Sequence, residues 1–362
     1  MSGKKKLHKI LILLAVLAAV LAGIAVVAYG ALKMSLGKSN YVSDEEEQVV
    51  YETLEPETSV DEEGNVEYIT EQTLDSEEEA SVKEQISDSV QSVREDEERT
   101  QKMEGVYDLL LIGVDRRDDS WYGNSDVMIL LTVNHDQKTV YMTSFLRDLA
   151  ADIPGVGVRK LNAACAHGGA QLLVETLEEN YAVSIDNYAM VDFNGMIQVV
   201  DALGGIDLEL TDEEVSVAND YVKTMCEANG EPYEDHEIKE SGLIHLDGYQ
   251  AVGHARNRYS GNTNDFGRTD RQRDVLMAII EKAQDGGLGS LTDVVEAVLP
   301  YITHNISDVE LLTLMAQLPT ILEYQMVEQR IPYDDLYHSE NEMLVPDMEE
   351  TIQKLHDTIY GD

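Results

Sequence analysis

Hydrophobic positions are distributed in three different ways along the chain. From 10 to 32 there are 23 residues without a charge, mostly Leu, Ala, Val and Ile. As a helix this run would rise about 34 Å, against a bilayer hydrocarbon core of about 30 Å. It predicts one transmembrane helix. Its length, and the poor cleavage site at Ala28-Tyr29-Gly30-Ala31, set it apart from a cleaved signal peptide. From 41 to 105 hydrophobic positions thin out between acidic runs, Asp44-Glu45-Glu46-Glu47 and Glu95-Asp96-Glu97-Glu98 among them. Such a composition buries too little surface to offset chain entropy. It reads as a solvated, self-repelling spacer, with at most a short helix within 80–103.

From 106 onward the pattern of a folded domain begins. The continuous apolar run at 107–114 fits a buried strand. Strands are also expected at 127–134 and 139–145, around a turn at 135–138. Helical spacing marks 171–181, followed by a strand at 187–193, a helix at 195–203 and a strand at 206–210. The stretch 247–256 is expected to start helical and turn into a strand. Helices are expected at 268–284, 291–302 and 308–322, with Ser307 capping the last. The polar stretch 212–242 reads as an excursion. Alternating strands and helices predict an α/β fold, a central sheet covered by helices. The organisation is then a tail at 1–9, the membrane helix at 10–32, an acidic linker at 33–105 and one domain at 106–362.

Charge sharpens this division. The 362 residues carry 26 Lys and Arg against 70 Asp and Glu, a net charge of −44. Residues 1–40 contribute +6, residues 41–105 contribute −19, and the remainder −31. Lys4, Lys5, Lys6 and Lys9 precede the apolar run, and only Lys33 and Lys38 closely follow it. The positive-inside rule therefore predicts a single-pass protein of the cell membrane, its N-terminus cytoplasmic and its domain extracellular. A body this acidic repels phosphate backbones, which excludes a general nucleic-acid binder. Two cysteines exclude a disulfide scaffold and a four-cysteine zinc site. An anionic ligand would need a local island of positive charge.

The bases are placed as if to build one. Of the 16 in the domain, ten fall at 116–117, 147, 159–160 and 256–273. One reading pairs them with nearby acids as surface salt bridges, which contribute little. The other notes that Arg is preferred over Lys, and that its planar fork grips phosphate oxygens at two points. Arg256 and Arg258, two apart, share a face on a strand. Arg268, Arg271 and Gln272 share a face on a helix. Asp265-Phe266-Gly267 would join the two elements, with Gly267 as a flexible turn. Asp115 ends the first strand and Asp126 begins the second, so both carboxylates could lie at one sheet edge. They are either turn formers or a pair suited to Mg2+, which takes one or two carboxylates plus waters and phosphates.

The ordered motifs Gly113-Val114-Asp115-Arg116, Asn124-Ser125-Asp126, Ser144-Phe145-Leu146-Arg147-Asp148 and Lys160-Leu161-Asn162-Ala163-Ala164 resemble the LytR–CpsA–Psr family. So do Val200-Asp201-Ala202-Leu203-Gly204-Gly205-Ile206-Asp207, Ala255-Arg256-Asn257-Arg258 and Asp265-Phe266-Gly267-Arg268-Thr269-Asp270-Arg271-Gln272. The resemblance is strong over 106–285. It implies a mixed central sheet sandwiched by helices, with an apolar tunnel for a polyprenyl chain. It implies Mg-dependent transfer of a cell-wall glycopolymer from an undecaprenyl-pyrophosphate carrier to peptidoglycan. Asp115 and Asp126 match the metal-binding acids. Arg116, Arg147, Arg256, Arg258 and Arg268 match the arginines that hold the pyrophosphate. Lys160, Asn162, Arg271 and Gln272 match further substrate-binding positions. Asp265 matches an acid that either orients the arginines or accepts the acceptor's proton.

Hydrolysis of the lipid pyrophosphate would use the same residues, whereas the transcriptional attenuation long attached to the family label is opposed by the −44 charge and by a tail of about nine residues inside the cell, which leaves no cytoplasmic DNA-binding module. Phe145-Leu146 stands where the family usually has Ile-Pro, and Asn264 where a small residue is common. Neither departure removes a charge. Cys165 and Cys226 could pair or stay independent thiols. His167 and His254 are assigned no role.

Overall fold

The computed structural model describes residues 40–42, 57–60, 66–69, 73–116, 122–260, 264–284, 299–321 and 323–361. The apolar run at 10–32, Arg117, and residues 291–298 of an expected helix lie outside them. Among the described residues no helix is long and apolar enough to cross a membrane.

In chain order the elements are β1 (Asn40–Tyr41), β2 (Glu57–Val60), β3 (Val66–Ile69), α1 (Ser76–Arg94) and α2 (Glu97–Met103). Next come β4 (Val106–Asp115), β5 (Asn124–Asn134), β6 (Thr139–Phe145), β7 (Ala150–Ile153), β8 (Gly157–Lys160) and α3 (Ala163–Tyr181). They are followed by β9 (Asn187–Asp192), α4 (Phe193–Ala202), β10 (Ile206–Leu210), α5 (Asp212–Asn229), α6 (Tyr233–His236), β11 (Gly242–Leu246), α7 (Gly248–Ala255) and α8 (Asn264–Gln284). A 3-10 turn (Leu299–Tyr301), β12 (Thr303–His304), α9 (Asp308–Ile321), β13 (Gln325–Ile331), β14 (Tyr337–Glu340), β15 (Met343–Pro346) and α10 (Met348–Ile359) complete the chain. The fold is mixed α/β, as the pattern predicted. It divides into two compact units, one of residues 1–42, 138–140 and 189–326, the other of 43–137, 141–188 and 327–362.

In the unit containing β4, antiparallel β4 and β5 pair along their length, from Val106 opposite Asn134 to Asp115 opposite Asn124. The long apolar runs follow from burial on both faces: every residue of β6 is buried, as are Met128–Asn134 of β5. The acidic stretch before β4 is not all spacer. Val82, Ile86, Val90 and Val93 lie on one face of α1 and are buried, and α1 packs on α3 and α10. Its acids have structural roles. Asp75 caps the helix by accepting from the amides of Glu77 (2.9 Å) and Glu78 (3.0 Å). Glu77, Glu78 and Glu79 sit in the first turn, where the helix dipole favours negative charge. Ile86→Ala should therefore lower unfolding free energy by about 2–4 kcal/mol. Glu84→Ala, on the exposed face, should change it by less than about 0.5 kcal/mol in the same denaturant titration.

A buried carboxyl lies in the same unit. Asp108 of β4 accepts from the hydroxyls of Thr132 and Tyr360. Burial pushes it up to about 8 from an ordinary 3.8, only partly opposed by the Thr132 hydrogen bond. Its folded value exceeds its unfolded one, so the folded chain holds the extra proton between those limits. That contribution is complete below about pH 4 and is lost as pH rises through about 8. Stability measured by thermal unfolding should decline across this window, and Asp108→Asn should flatten the decline.

In the other unit, β12 lies between β1, with which it is parallel, and β9, with which it is antiparallel. That sheet is mixed, as expected. The hairpin β10–β11 pairs Ile206 with Leu246 through Leu210 with Gly242. The stretch 212–242, expected to be an excursion, instead contributes α5. Ala218, Val222, Met225 and Cys226 bury one face of α5. Val222, Met225 and Cys226 pack with Ile197, Tyr249 and Val252. The helix expected at 291–302 ends differently within the described residues, as a 3-10 turn and a two-residue strand. The Ser307 cap is present: its Oγ accepts from the Glu310 amide (3.4 Å), and the Glu310 carboxylate accepts from the Ser307 amide (2.8 Å).

Candidate functional site

Asp115 and Asp126 emerge at the same end of the β4–β5 pair. The register runs Gly113 opposite Val127 and then Val114 opposite Ser125, so Asp126 is the extra residue of a β-bulge. A bulge re-aims the side chain it carries. Gly123 closes the connection with φ +82, and a Cβ there would lie 2.6 Å from the Asp115 carbonyl oxygen. Only glycine fits. Arg147 follows β6. Its Nη1 donates to Asp126 Oδ1 at 2.9 Å, and its Nε lies 3.5 Å from Asp148 Oδ2. Lys160, at the end of β8, reaches Asp148 Oδ1 at 3.0 Å. The backbone ties the three segments together. The Asn162 amide donates to the Arg147 carbonyl (3.1 Å) and the Ser125 amide to the Asn162 carbonyl (3.3 Å). Asn162 holds the N-cap position of α3 without using its side chain as a cap. Arg116 is half-buried directly after Asp115. One unit thus brings Asp115, Arg116, Asp126, Arg147, Lys160 and Asn162 to its strand ends.

The second set of predicted residues lies on the other unit. The capping box Asp247–Gln250 starts α7. Gly253 lets that helix approach α5, since a Cβ there would meet Val222 Cγ2 at 2.7 Å and the Ala218 carbonyl oxygen at 2.9 Å. The strand expected to carry Arg256 does not form. The segment stays helical through Ala255, Arg256 is the C-cap, and a turn follows. Asn257, fully buried, builds that turn by accepting from the amides of Tyr259 (3.1 Å) and Ser260 (3.2 Å). The hinge expected at Gly267 is absent too, because α8 begins at Asn264 and Gly267 is inside it. The shared helical face of Arg268, Arg271 and Gln272 stands. Asp265 is in the first turn of α8, and its side chain lies outside the described residues.

The arginines do converge, around a residue that spacing did not reveal. The Arg256 guanidinium carbon lies 4.3 Å from the centre of the Phe193 ring and 5.3 Å from that of Tyr221. Two aromatic faces attract and orient a cation. Burial raises the Tyr221 hydroxyl above its ordinary value, partly opposed by the positive charge of Arg258, Arg256 and Arg268 nearby. Tyr221 was hidden in the supposed excursion. Its helix was nevertheless marked by Thr211-Asp212-Glu213-Glu214, and Thr211 and Glu214 form a capping box.

Arg271 has a different place from the one expected. It is 7% exposed. Its Nε donates to Glu214 Oε1 (3.1 Å), Nη1 to the Asn257 carbonyl (3.2 Å) and Nη2 to the Ser260 carbonyl (2.9 Å). All three nitrogens thus clamp the 257–260 turn to α5. Burial alone would raise the Glu214 carboxyl, but hydrogen bonds from Thr211 and Arg271 outweigh it and hold the group low. Burial lowers His254 to about 4, with Glu214 opposing and Arg271 reinforcing the shift. It is therefore neutral at neutral pH. Cys165 and Cys226 are both buried free thiols. Among the described residues no cluster of three His, Cys, Asp or Glu is arranged to hold a metal. Asp115 and Asp126 supply two carboxylates at one strand end, the number Mg2+ takes from protein when water and phosphate supply the rest, and Asp126 Oδ1 here accepts from Arg147.

The LytR_cpsA_psr family model matches residues 66–358. The chain belongs to the LytR–CpsA–Psr family. Among curated relatives, the polyisoprenyl-teichoic acid–peptidoglycan teichoic acid transferase TagU of Halalkalibacterium halodurans is 37% identical over 179 residues, 49% of this chain and 53% of that one. Biofilm regulatory protein A of Streptococcus mutans is 35% identical over 190 residues, 49% of this chain and 44% of that one. The chain spans about half the length of these relatives. Among solved structures, protein gbs0355 of Streptococcus agalactiae superposes with a TM-score of 0.58 at 25% identity, covering 72% of this chain and 89% of that one. The family match begins at 66, ahead of α1, in agreement with the packing of that helix.

For this family member, Arg271→Ala should leave Glu214 partly buried without its guanidinium and release two loop carbonyls, costing about 3 kcal/mol of stability. Hydrogen exchange should quicken at the Tyr259 and Ser260 amides, and unchanged protection there would show that Arg271 does not hold the turn.

Proposed function

We propose that the chain transfers a cell-wall glycopolymer from a polyprenyl-pyrophosphate carrier to peptidoglycan. The observation that carries this reading is Arg256 held against the rings of Phe193 and Tyr221, with the charges of Arg258 and Arg268 also acting on the Tyr221 hydroxyl, within a domain of net charge −31. Guanidiniums concentrated in an acidic body suit a compact, multiply charged anion such as a pyrophosphate. Family membership and the similarity to the teichoic acid transferase TagU support the substrate class.

In the proposed reaction a muramic acid hydroxyl attacks the phosphorus that bears the glycopolymer. The new P–O bond forms as the P–O bond to the distal phosphate breaks. Polyprenyl phosphate leaves, and the hydroxyl proton passes to a base, for which Asp265 is the candidate by family position. Arg256, Arg258 and Arg268 hold the pyrophosphate and neutralise charge as it moves to the leaving phosphate. Phe193 and Tyr221 fix the plane of Arg256. By family position Arg116 and Arg147 also match pyrophosphate-holding arginines and Lys160, Asn162 and Gln272 match further substrate-binding positions, while Arg271 positions the loop. Asp115 and Asp126 would hold Mg2+, which supplies Lewis-acid charge neutralisation when bound. The run at 10–32 anchors the protein in the cell membrane with its domain outside.

The test incubates the full chain in detergent with lipid-pyrophosphate-linked glycopolymer and peptidoglycan oligomers. A covalent conjugate and free polyprenyl phosphate are expected. Replacing Arg256 and Arg258 by Ala should abolish both in a protein that still unfolds cooperatively. Release of phosphorylated polymer without conjugate would identify a hydrolase instead, and full turnover by the double variant would refute the arginine site.

A further inference from the structure

We infer that the sheet edge formed by β1 and β12 rests on the lipid surface, because the segment following the membrane anchor docks there as a strand. The inference rests on the reading of 10–32 as that anchor, proposed above. Asn40 and Tyr41 pair in parallel with Thr303 and His304. The Val42 amide donates to the His304 carbonyl at 3.0 Å. β12 is two residues long, and without β1 it would be a bare sheet edge with unpaired backbone groups. The Tyr41 ring lies 5.9 Å from that of His304, which is buried.

Chain length sets where this edge can be. Seven residues, 33–39, separate the apolar run from β1. Fully extended, they reach at most about 25 Å. The parallel register sets the entry point. Asn40 opposite Thr303 brings the incoming chain beside the 3-10 turn Leu299–Tyr301, with which β1 is in contact. Two tyrosines are exposed at this place, Tyr41 at 46% and Tyr301 at 41%. Tyrosine carries an apolar ring and a polar tip, and favours the headgroup level of a membrane. Lys33 and Lys38 in the tether add attraction for anionic lipid, in a chain otherwise repelled by it. Short tether, entry point, aromatic pair and tether charge all select the same occupant, a bilayer surface.

The acidic residues that follow β1 are then not a stalk between membrane and domain. They leave from a strand already docked at the surface, and the distance of this unit from the bilayer is set by 33–39 alone.

The experiment uses the full chain in vesicles of phosphatidylethanolamine and phosphatidylglycerol. Asn40→Cys combined with Thr303→Cys should form a disulfide on mild oxidation, since neighbouring strands lie about 4.8 Å apart, within disulfide range. Asn40→Cys with Leu243→Cys should stay open. A fluorophore on Tyr301→Cys should lose emission when headgroup-level nitroxide lipid is included. Flotation with the vesicles reads the anchor separately. A chain that floats but neither cross-links 40 to 303 nor is quenched at 301 overturns the apposition and spares the anchor. A chain that fails to float overturns both.

Discussion

The arginine set depends on the buried Arg271–Glu214 pair. Three guanidiniums whose charges all act on one tyrosine also repel one another. The Arg256 side chain is held by two aromatic faces. The turn that carries Arg256 and Arg258 is held from below, where Arg271 takes the Asn257 and Ser260 carbonyls and anchors them through Glu214 to the first turn of α5. Glu214 is itself half of a helix cap. One ion pair therefore joins the end of α7, the face of α8 and the start of α5. A charged pair out of water stabilises little by itself, but here it sets the geometry of the turn that carries Arg256 and Arg258.

Much of this was legible, and the failures share one physical cause. Strands β4, β5, β6 and β10 were recognised because burial on both faces, or clean bounding turns, leaves a signal that no nearby charge dilutes. Helix α5 was missed, and the helix allowed within 80–103 was taken for part of a solvated spacer, because the apolar residues of α5 and α1 occupy one narrow stripe. Val82, Ile86, Val90 and Val93 in α1, and Ala218, Val222, Met225 and Cys226 in α5, are separated by acids on the other faces. Averaged composition then reads as solvated chain, whereas spacing and caps read as amphipathic helix. Asp75 ahead of Glu77-Glu78-Glu79, and Thr211 with Glu214, were the local signals that should have prevailed over the charge count.

The site was legible in its residue types and not in its geometry. Spacing alone put Arg256 and Arg258 on a strand, but a helix capped by Asp247 and packed through Gly253 continues until Asn257 folds the chain back. Spacing also could not show that a bulge would place Asp126 out of the ladder, toward Arg147. Nor could it show that Arg271 would bind carbonyls of its own chain, or that Arg268 and Arg271 would both be buried. Arg268 and Arg271 are equivalent in the sequence, three apart on one helix face. The carbonyls of Asn257 and Ser260, which make Arg271 structural, belong to a turn that forms only when the fold does.

The net charge of −44 also acquires a different meaning once the elements are placed. Bulk repulsion excludes extended polyanions, because their phosphates are spread over the length of the surface and meet its average. A pyrophosphate meets only the few ångströms around it, where the Debye length of about 8 Å screens the distant acids and leaves the converged arginines in control. The same screening permits an acidic domain to approach an anionic bilayer at one edge. What matters there is the charge of the residues that arrive first, and those are Lys33, Lys38 and two tyrosines. The acids of 44–63 follow β1 in the sequence, so they do not lie between the apolar run and that strand. In both proposals, a pyrophosphate at the arginines and a bilayer at the sheet edge, the sum over the chain is a poor guide and the first few residues within a screening length decide the interaction.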